Sequence, residues 1–143
     1  MAKVAKQTTA PLMPALRYRD CNAAVDFLTK VFGFAEGAAF RDAQGNVQHA
    51  ELWFGNGGIM IGPVADTPFS KVMRQPNEAG GVTASFFCVV DDPDAHFART
   101  QAAGFDIILP LRDESYGSRE YSVRDPEGHV WTFGTYDPQP QVA

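Results

Sequence analysis

No run in this sequence approaches the roughly 20 consecutive apolar residues that a membrane-spanning helix requires. The N-terminal MAKVAKQTTAP also lacks the continuous apolar segment of a signal peptide. A cytoplasmic protein without a membrane partner is therefore expected. Cysteine is scarce: Cys21 and Cys88 are too few for a disulfide framework, and neither has a neighbouring histidine that would mark a nucleophile. Charge of one sign is nowhere concentrated. Asp and Glu number 17 against 12 Lys and Arg, for a net charge of −5 with no long run of either sign, which argues against a nucleic-acid partner.

What the sequence does contain is apolar material. Hydrophobic residues make up 45% and aromatics 12% of 143 residues, enough for one domain with its own core. Residues 1–11 are small and polar without period and read as a disordered tail; residues 12–136 read as a single domain. A strand is predicted over about 12–19. Asp20 then caps a helix from Asn22 to Phe32 whose apolar face is Ala24, Val25, Phe27, Leu28, Val31 and Phe32, with Gly33 as its left-handed stop. Strands near 34–41, 47–54 and 58–62 follow, separated by the turn-forming DAQGN and GNGG.

Residues 63–80, rich in Pro and polar side chains and lacking a period, read as a long connecting loop. The order of elements then recurs. A strand near 82–90 leads to a helix capped by Asp91 or Asp92, with Ala95, Phe97, Ala98 and Ala102 on its buried side and Gly104 as its stop. Strands near 107–112, 119–124 and 129–136 are joined by ESYGS and DPEG. Asp20 precedes Gly33-Phe34 by the same 13 residues that separate Asp91 from Gly104-Phe105, so the domain reads as two modules, 12–62 and 81–136.

Within this duplicated frame, DPEGHVW at 125–131, the Tyr116-Gly117 pair before the preceding strand, and VDDPDAHFARTQAAGF at 90–105 carry a resemblance. Over about residues 12–136 the chain resembles the vicinal-oxygen-chelate superfamily of glyoxalases, bleomycin-resistance proteins and extradiol dioxygenases, most closely its PhnB-like and antibiotic-resistance-like branch. The resemblance implies an α+β fold of two tandem βαβββ modules, with curved half-barrel sheets, outer helices and a cavity on the concave side. It also implies a homodimer.

Metal-dependent members of that superfamily hold a divalent cation with His and Glu side chains from the first and last strands of each module. Carried onto this sequence, those places fall on Met13, on Gly62 (or Ile61), on Ser85 and on Thr132. A catalytic divalent centre needs about three N, O⁻ or S⁻ donors, and this set offers a thioether, two hydroxyls and a glycine. The expectation is therefore no metal and no cofactor. His49 and Glu51, two apart on one strand, face the same way and can approach one ion, but a third ligand is missing. His96 falls on the second helix and His129 is expected beneath it.

If DPEG is a four-residue hairpin loop, Tyr121 pairs with Thr132, and Arg119, Tyr121 and Val123 share the cavity face. By the repeat, His49, Glu51 and Trp53 take the same role in the first module. Met13, Ala15, Arg17, Met60, Ser85 and Phe87 complete a lining that is mostly apolar with a few polar groups, the usual make-up of a small-molecule pocket. Glu51 either forms an internal salt bridge to Arg119 or Arg17 or accepts a cation from a ligand. His49 is a hydrogen-bonded wall residue or a general base, and Trp53 is core or a stacking platform. Three functions remain open: a protein that sequesters an aromatic or cationic small molecule; a lyase, isomerase or dioxygenase using an atypical metal or metal-free acid-base chemistry at Glu51, His49 and Tyr121; or a structural or regulatory partner with an unused cavity.

Overall fold

The computed structural model describes residues 8–141, so residues 1–7 of the expected tail lie outside the described residues. The chain divides between Arg74 and Gln75 into two units. The first contains β1 (Ala15–Tyr18), α1 (Cys21–Lys30), β2 (Ala35–Arg41), β3 (Val47–Phe54) and β4 (Gly57–Pro63). The second contains a short helix α2 (Pro76–Ala79), then β5 (Phe86–Val89), α3 (Pro93–Ala102), β6 (Asp106–Asp113), β7 (Arg119–Arg124) and β8 (Val130–Gly134). The stretch expected as a plain connecting loop holds a 3₁₀ turn over Pro68–Lys71 as well as α2.

Both units have one topology. The sheet orders are β1-β4-β3-β2 and β5-β8-β7-β6; β1 lies parallel to β4 and β5 parallel to β8, and the other pairs are antiparallel. This is the α+β arrangement of two βαβββ modules with open sheets. Register shifts between β2 and β3 and between β6 and β7 mark irregularities on the outer strands, the kind of insertion that bends a strand and increases its twist.

The helix starts follow from local chemistry. The Asp20 carboxylate accepts the Ala23 N–H at 3.0 Å, and Asp92 accepts the Ala95 N–H at 3.0 Å, which decides between Asp91 and Asp92. The spacing that suggested the repeat is therefore one residue shorter in the second module. Both helices have 10 residues, but α1 is followed by Val31 and Phe32 before Gly33, and α3 by Ala103 alone before Gly104. On α1 the buried residues are Cys21, Ala24, Val25, Phe27 and Leu28. They cover a sheet face where Leu16, Tyr18, Ala50, Leu52, Ile59 and Ile61 are all buried.

The inner face of α3 departs from the expected one. Pro93, His96 and Thr100 are buried, Phe97 is half-buried, and Ala95, Ala98 and Ala102 are exposed. The reason lies on β7. Tyr121 rises beneath the helix, its hydroxyl 2.5 Å from His96 Nδ1 and donating to Thr100 Oγ1 at 2.8 Å. The His96 ring also packs on Phe133 at 4.0 Å between centroids. Polar residues that satisfy one another can thus occupy a face that a count of apolar residues assigns to alanines. His129, expected under α3, is half-buried at the end of the β7–β8 turn.

That turn also corrects the predicted strand pairing. Arg124 pairs with Val130, which leaves five residues, 125–129, in the connection rather than four. The added residue shifts the partner of Thr132 from Tyr121 to Ser122, and a one-residue shift exchanges the two faces of a strand. Arg119, Tyr121 and Val123 therefore look toward α3, and Glu120 and Ser122 occupy the opposite face.

Tyr121→Phe keeps the ring and removes the hydroxyl shared by His96 and Thr100. It is expected to lower unfolding stability in urea at neutral pH by about 1–3 kcal/mol. Burial pushes the Tyr121 hydroxyl from 10.0 up to about 12, so its folded value lies above its unfolded value. The contribution is whole below pH 10.0 and is lost as pH rises through about 12. The stability gap between parent and variant should narrow across that window; a gap unchanged by pH would contradict the assignment.

Candidate functional site

On the first unit, strand alternation places Met13, Ala15 and Arg17, then His49, Glu51 and Trp53, then Met60 on the sheet face turned away from α1. The pairings Ala15–Met60, Arg17–Gly62, Glu51–Met60 and Trp53–Gly58 fix that face. A recess of about 200 Å³ opens there, lined by Ala15, Arg17, His49 and Met60 together with Gln48, Phe69 and Met73. Its lining is largely apolar, with the Arg17 guanidinium anchored by donation to the Pro63 carbonyl at 3.3 Å.

Trp53 lies across this face. A Cβ at Gly37 would stand 2.7 Å from the indole Nε1, and one at Gly58 would stand 2.8 Å from Cε3 and 3.0 Å from the Met13 Cε. Two glycines, on the strands either side of β3, thus make the space in which the half-buried ring rests. Beside it His49 Nε2 lies 3.3 Å from Glu51 Oε2, so the recorded partner of Glu51 is His49. Arg119, one of the two expected partners, is bound in the second unit.

On the second unit the expected residues separate. Arg119 grips Asp94 through Nε and Nη2 at 2.9 and 3.0 Å and reaches Asp113 at 3.2 Å. This fork holds the Asp94 carboxyl below its usual range. Tyr121 is buried under α3. Phe87 and Thr132 are register partners on the helix-free face, where Thr132 Oγ1 lies 2.7 Å from Ser122 Oγ. Ser85 is exposed just before β5. The same face carries Glu120, which sequence reasoning missed. Its carboxylate meets Tyr116 and Arg112 through Oε1, while Oε2 is buried without a hydrogen-bond partner. The contact with Glu120 pushes the Tyr116 hydroxyl up to about 12.

A family model described as the Glyoxalase/Bleomycin resistance protein/Dioxygenase superfamily matches residues 10–133. The chain belongs to this superfamily. An uncharacterized protein of Mycobacterium bovis is 30% identical over 123 residues, covering 86% of this chain and 81% of its own length. A Mycobacterium tuberculosis relative, also uncharacterized, is 30% identical with 86% and 72% covered. Among solved structures, TioX from Micromonospora sp. ML1 is 39% identical, with a TM-score of 0.67 and coverage of 86% of this chain and 95% of that one. The fosfomycin resistance protein FosX of Listeria monocytogenes has a TM-score of 0.62 over 86% and 89% at 15% identity, a likeness of fold.

For this superfamily member, the strand pairings refine where a divalent cation would have to be held. β1 meets β4 at Ala15–Met60, and β5 meets β8 at Phe87–Thr132, so the counterpart of Thr132 is Met60 rather than Gly62. Met13, Met60, Ser85 and Thr132 supply thioethers and hydroxyls, poor donors to a hard cation. Among the described residues no three His, Cys, Asp or Glu side chains gather as a ligand group. This donor set does not fit a divalent ion. Nor does a thiol nucleophile suggest itself: burial pushes Cys88 up to about 12, away from the thiolate form that reacts.

The signal for Glu120 was present in the sequence. In REYSVR, Tyr121 and Val123 are the alternate apolar pair, and in VWTFG Trp131 and Phe133 are the alternate aromatic pair; matching one pair with the other places Tyr121 opposite Phe133, as observed.

Gly58→Ala should force the Trp53 ring from its seat, because the nearest atoms belong to the rigid indole. In a Trp131→Phe background, which leaves one indole, emission should shift to the red and stability should fall by about 1–3 kcal/mol. Unchanged emission would mean that the ring is not held by the two glycines.

Proposed function

We propose that this superfamily member is a small-molecule binding protein that sequesters an aromatic or cationic compound in a metal-free pocket, as a cytoplasmic homodimer of the antibiotic-resistance-like branch. The observation that carries the reading is Trp53, laid on the sheet by Gly37 and Gly58 on the face that opens into the Ala15–Arg17–Met60 recess. An indole fixed in this way presents a flat, rigid surface at little entropic cost, suited to stacking a planar guest. Met60 and Met73 add polarizable side chains that adapt to irregular shapes. The Glu51 carboxylate, partly exposed and within reach of His49, is the acceptor for a cation or N–H group on that guest.

The His49–Glu51 contact also favours a second reading, metal-free acid-base catalysis by that pair. Tyr121, the third expected member, drops out because its hydroxyl is engaged beneath α3.

The ligands' own fluorescence, followed for 9-aminoacridine, planar and cationic, and for neutral phenanthrene, separates these contributions. Trp53→Ala should weaken both ligands by about tenfold or more, equivalent to about 1.4 kcal/mol. Glu51→Gln should weaken only the cation, with the unfolding midpoint unchanged. Mass spectrometry of the recovered ligand should show it unaltered at one per site. Conversion to a product supports the catalytic reading, and collapse of stability in Glu51→Gln makes the pair structural.

A further inference from the structure

In the second unit, Glu120 sits at 4% exposure on β7 and Oε2 has no donor. A carboxylate oxygen removed from water without a hydrogen bond is costly, and neither Tyr116 nor Arg112 relieves it, since both contact Oε1. Arg112 is shared between Glu120 and Glu114, so the cluster carries one carboxylate more than its cation neutralises.

Around this acid stand aromatic rings exposed to solvent. Tyr116, Tyr136 and Phe87 are 54%, 46% and 41% exposed. Tyr136 meets Tyr116 at 5.8 Å and 84° and Phe87 at 6.4 Å and 81°, so its ring stands edge-on between the two in an aromatic corner. The strands converge tightly beneath it: a Cβ on Gly134 would come within 2.6 Å of the Glu120 Cβ and 3.0 Å of both Phe87 Cζ and Ser118 Oγ. Aromatic faces attract cations, and the vacant carboxylate oxygen calls for a hydrogen-bond donor.

We infer that Glu120, Tyr116, Tyr136 and Phe87 form a site for an organic ammonium ion that bears at least one N–H. The ammonium donates to Oε2 of Glu120, entering past Tyr116 on the turn between β6 and β7, and its carbon substituents lie against the Tyr136 and Phe87 rings. A fully substituted quaternary ammonium satisfies the rings but not the oxygen. The site uses residues of the second unit alone and does not depend on Trp53.

Phenethylamine, protonated at neutral pH, is the probe, with 2-phenylethanol and the trimethylated quaternary analogue as comparisons, measured by titration calorimetry on the full chain. The amine should bind about tenfold or more tighter than either comparison, from the combined charge-assisted hydrogen bond and ring contacts. Glu120→Gln should reduce it to the level of the alcohol. Tyr136→Leu, at an exposed position, should weaken the amine several-fold and serves as the deciding variant if circular dichroism shows Glu120→Gln unfolded. All titrations are run in a Trp53→Ala, Glu51→Gln background, so that this aromatic cation is not also read at the first-unit face. Equal binding of the alcohol or of the quaternary ion, no amine binding at all, or retention of affinity in folded Glu120→Gln and Tyr136→Leu overturns the inference, while the Trp53 ligands report on the other site independently.

Discussion

The carboxylate of Asp125 decides which way β7 faces. Buried to 3% exposure, it accepts the Glu127 and His129 N–H groups through Oδ1 at 2.9 and 3.1 Å and the Trp131 indole N–H through Oδ2 at 3.0 Å. One side chain thereby closes a five-residue turn and ties it to the first large core residue of β8. The odd length of the turn sets Ser122 opposite Thr132 and Tyr121 opposite Phe133. Tyr121 can then reach His96 and Thr100, and Glu120 is left on the face where the aromatic corner stands.

The two units share a topology but use their faces differently. Beneath α1 the covered face is apolar, with Leu16, Ala50, Leu52 and Ile61 at 4% exposure or less. Beneath α3 a polar triad shares that space with Trp131 and Phe133. On the opposite faces the first unit seats an indole between two glycines with a His–Glu pair at its side, and the second carries an under-satisfied carboxylate with three exposed rings. Duplication of a βαβββ module supplies the scaffold in both, and chemistry has diverged on each helix-free sheet face. Function within such a fold resides in these local groups rather than in the topology.

The parts of the fold legible in the sequence were those set by neighbours along the chain. Asp20 and its helix, the glycine stops, β3 at 47–54 and β7 at 119–124 were readable because capping, left-handed turns and alternation act within a few residues. The first-unit face of Arg17, His49, Glu51, Trp53 and Met60 was readable for the same reason: the turn between β3 and β4 is only the two residues 55–56, which leaves the register little latitude. The second-unit face was not, because a single extra residue in the DPEGH turn reverses every side chain of a strand. The inner face of α3 was likewise hidden, since His96 and Thr100 become suitable core residues only when Tyr121 arrives beneath them.

The sequence by itself determined the order of elements, the duplication and the superfamily, all of which rest on short-range patterns and spacing. Only the tertiary structure decided that Trp53 lies flat over Gly37 and Gly58, that Tyr121 is committed to α3, and that one oxygen of Glu120 is left without a donor. Each of these depends on partners brought together by strand pairing or helix packing, and no local rule of the chain encodes such a meeting.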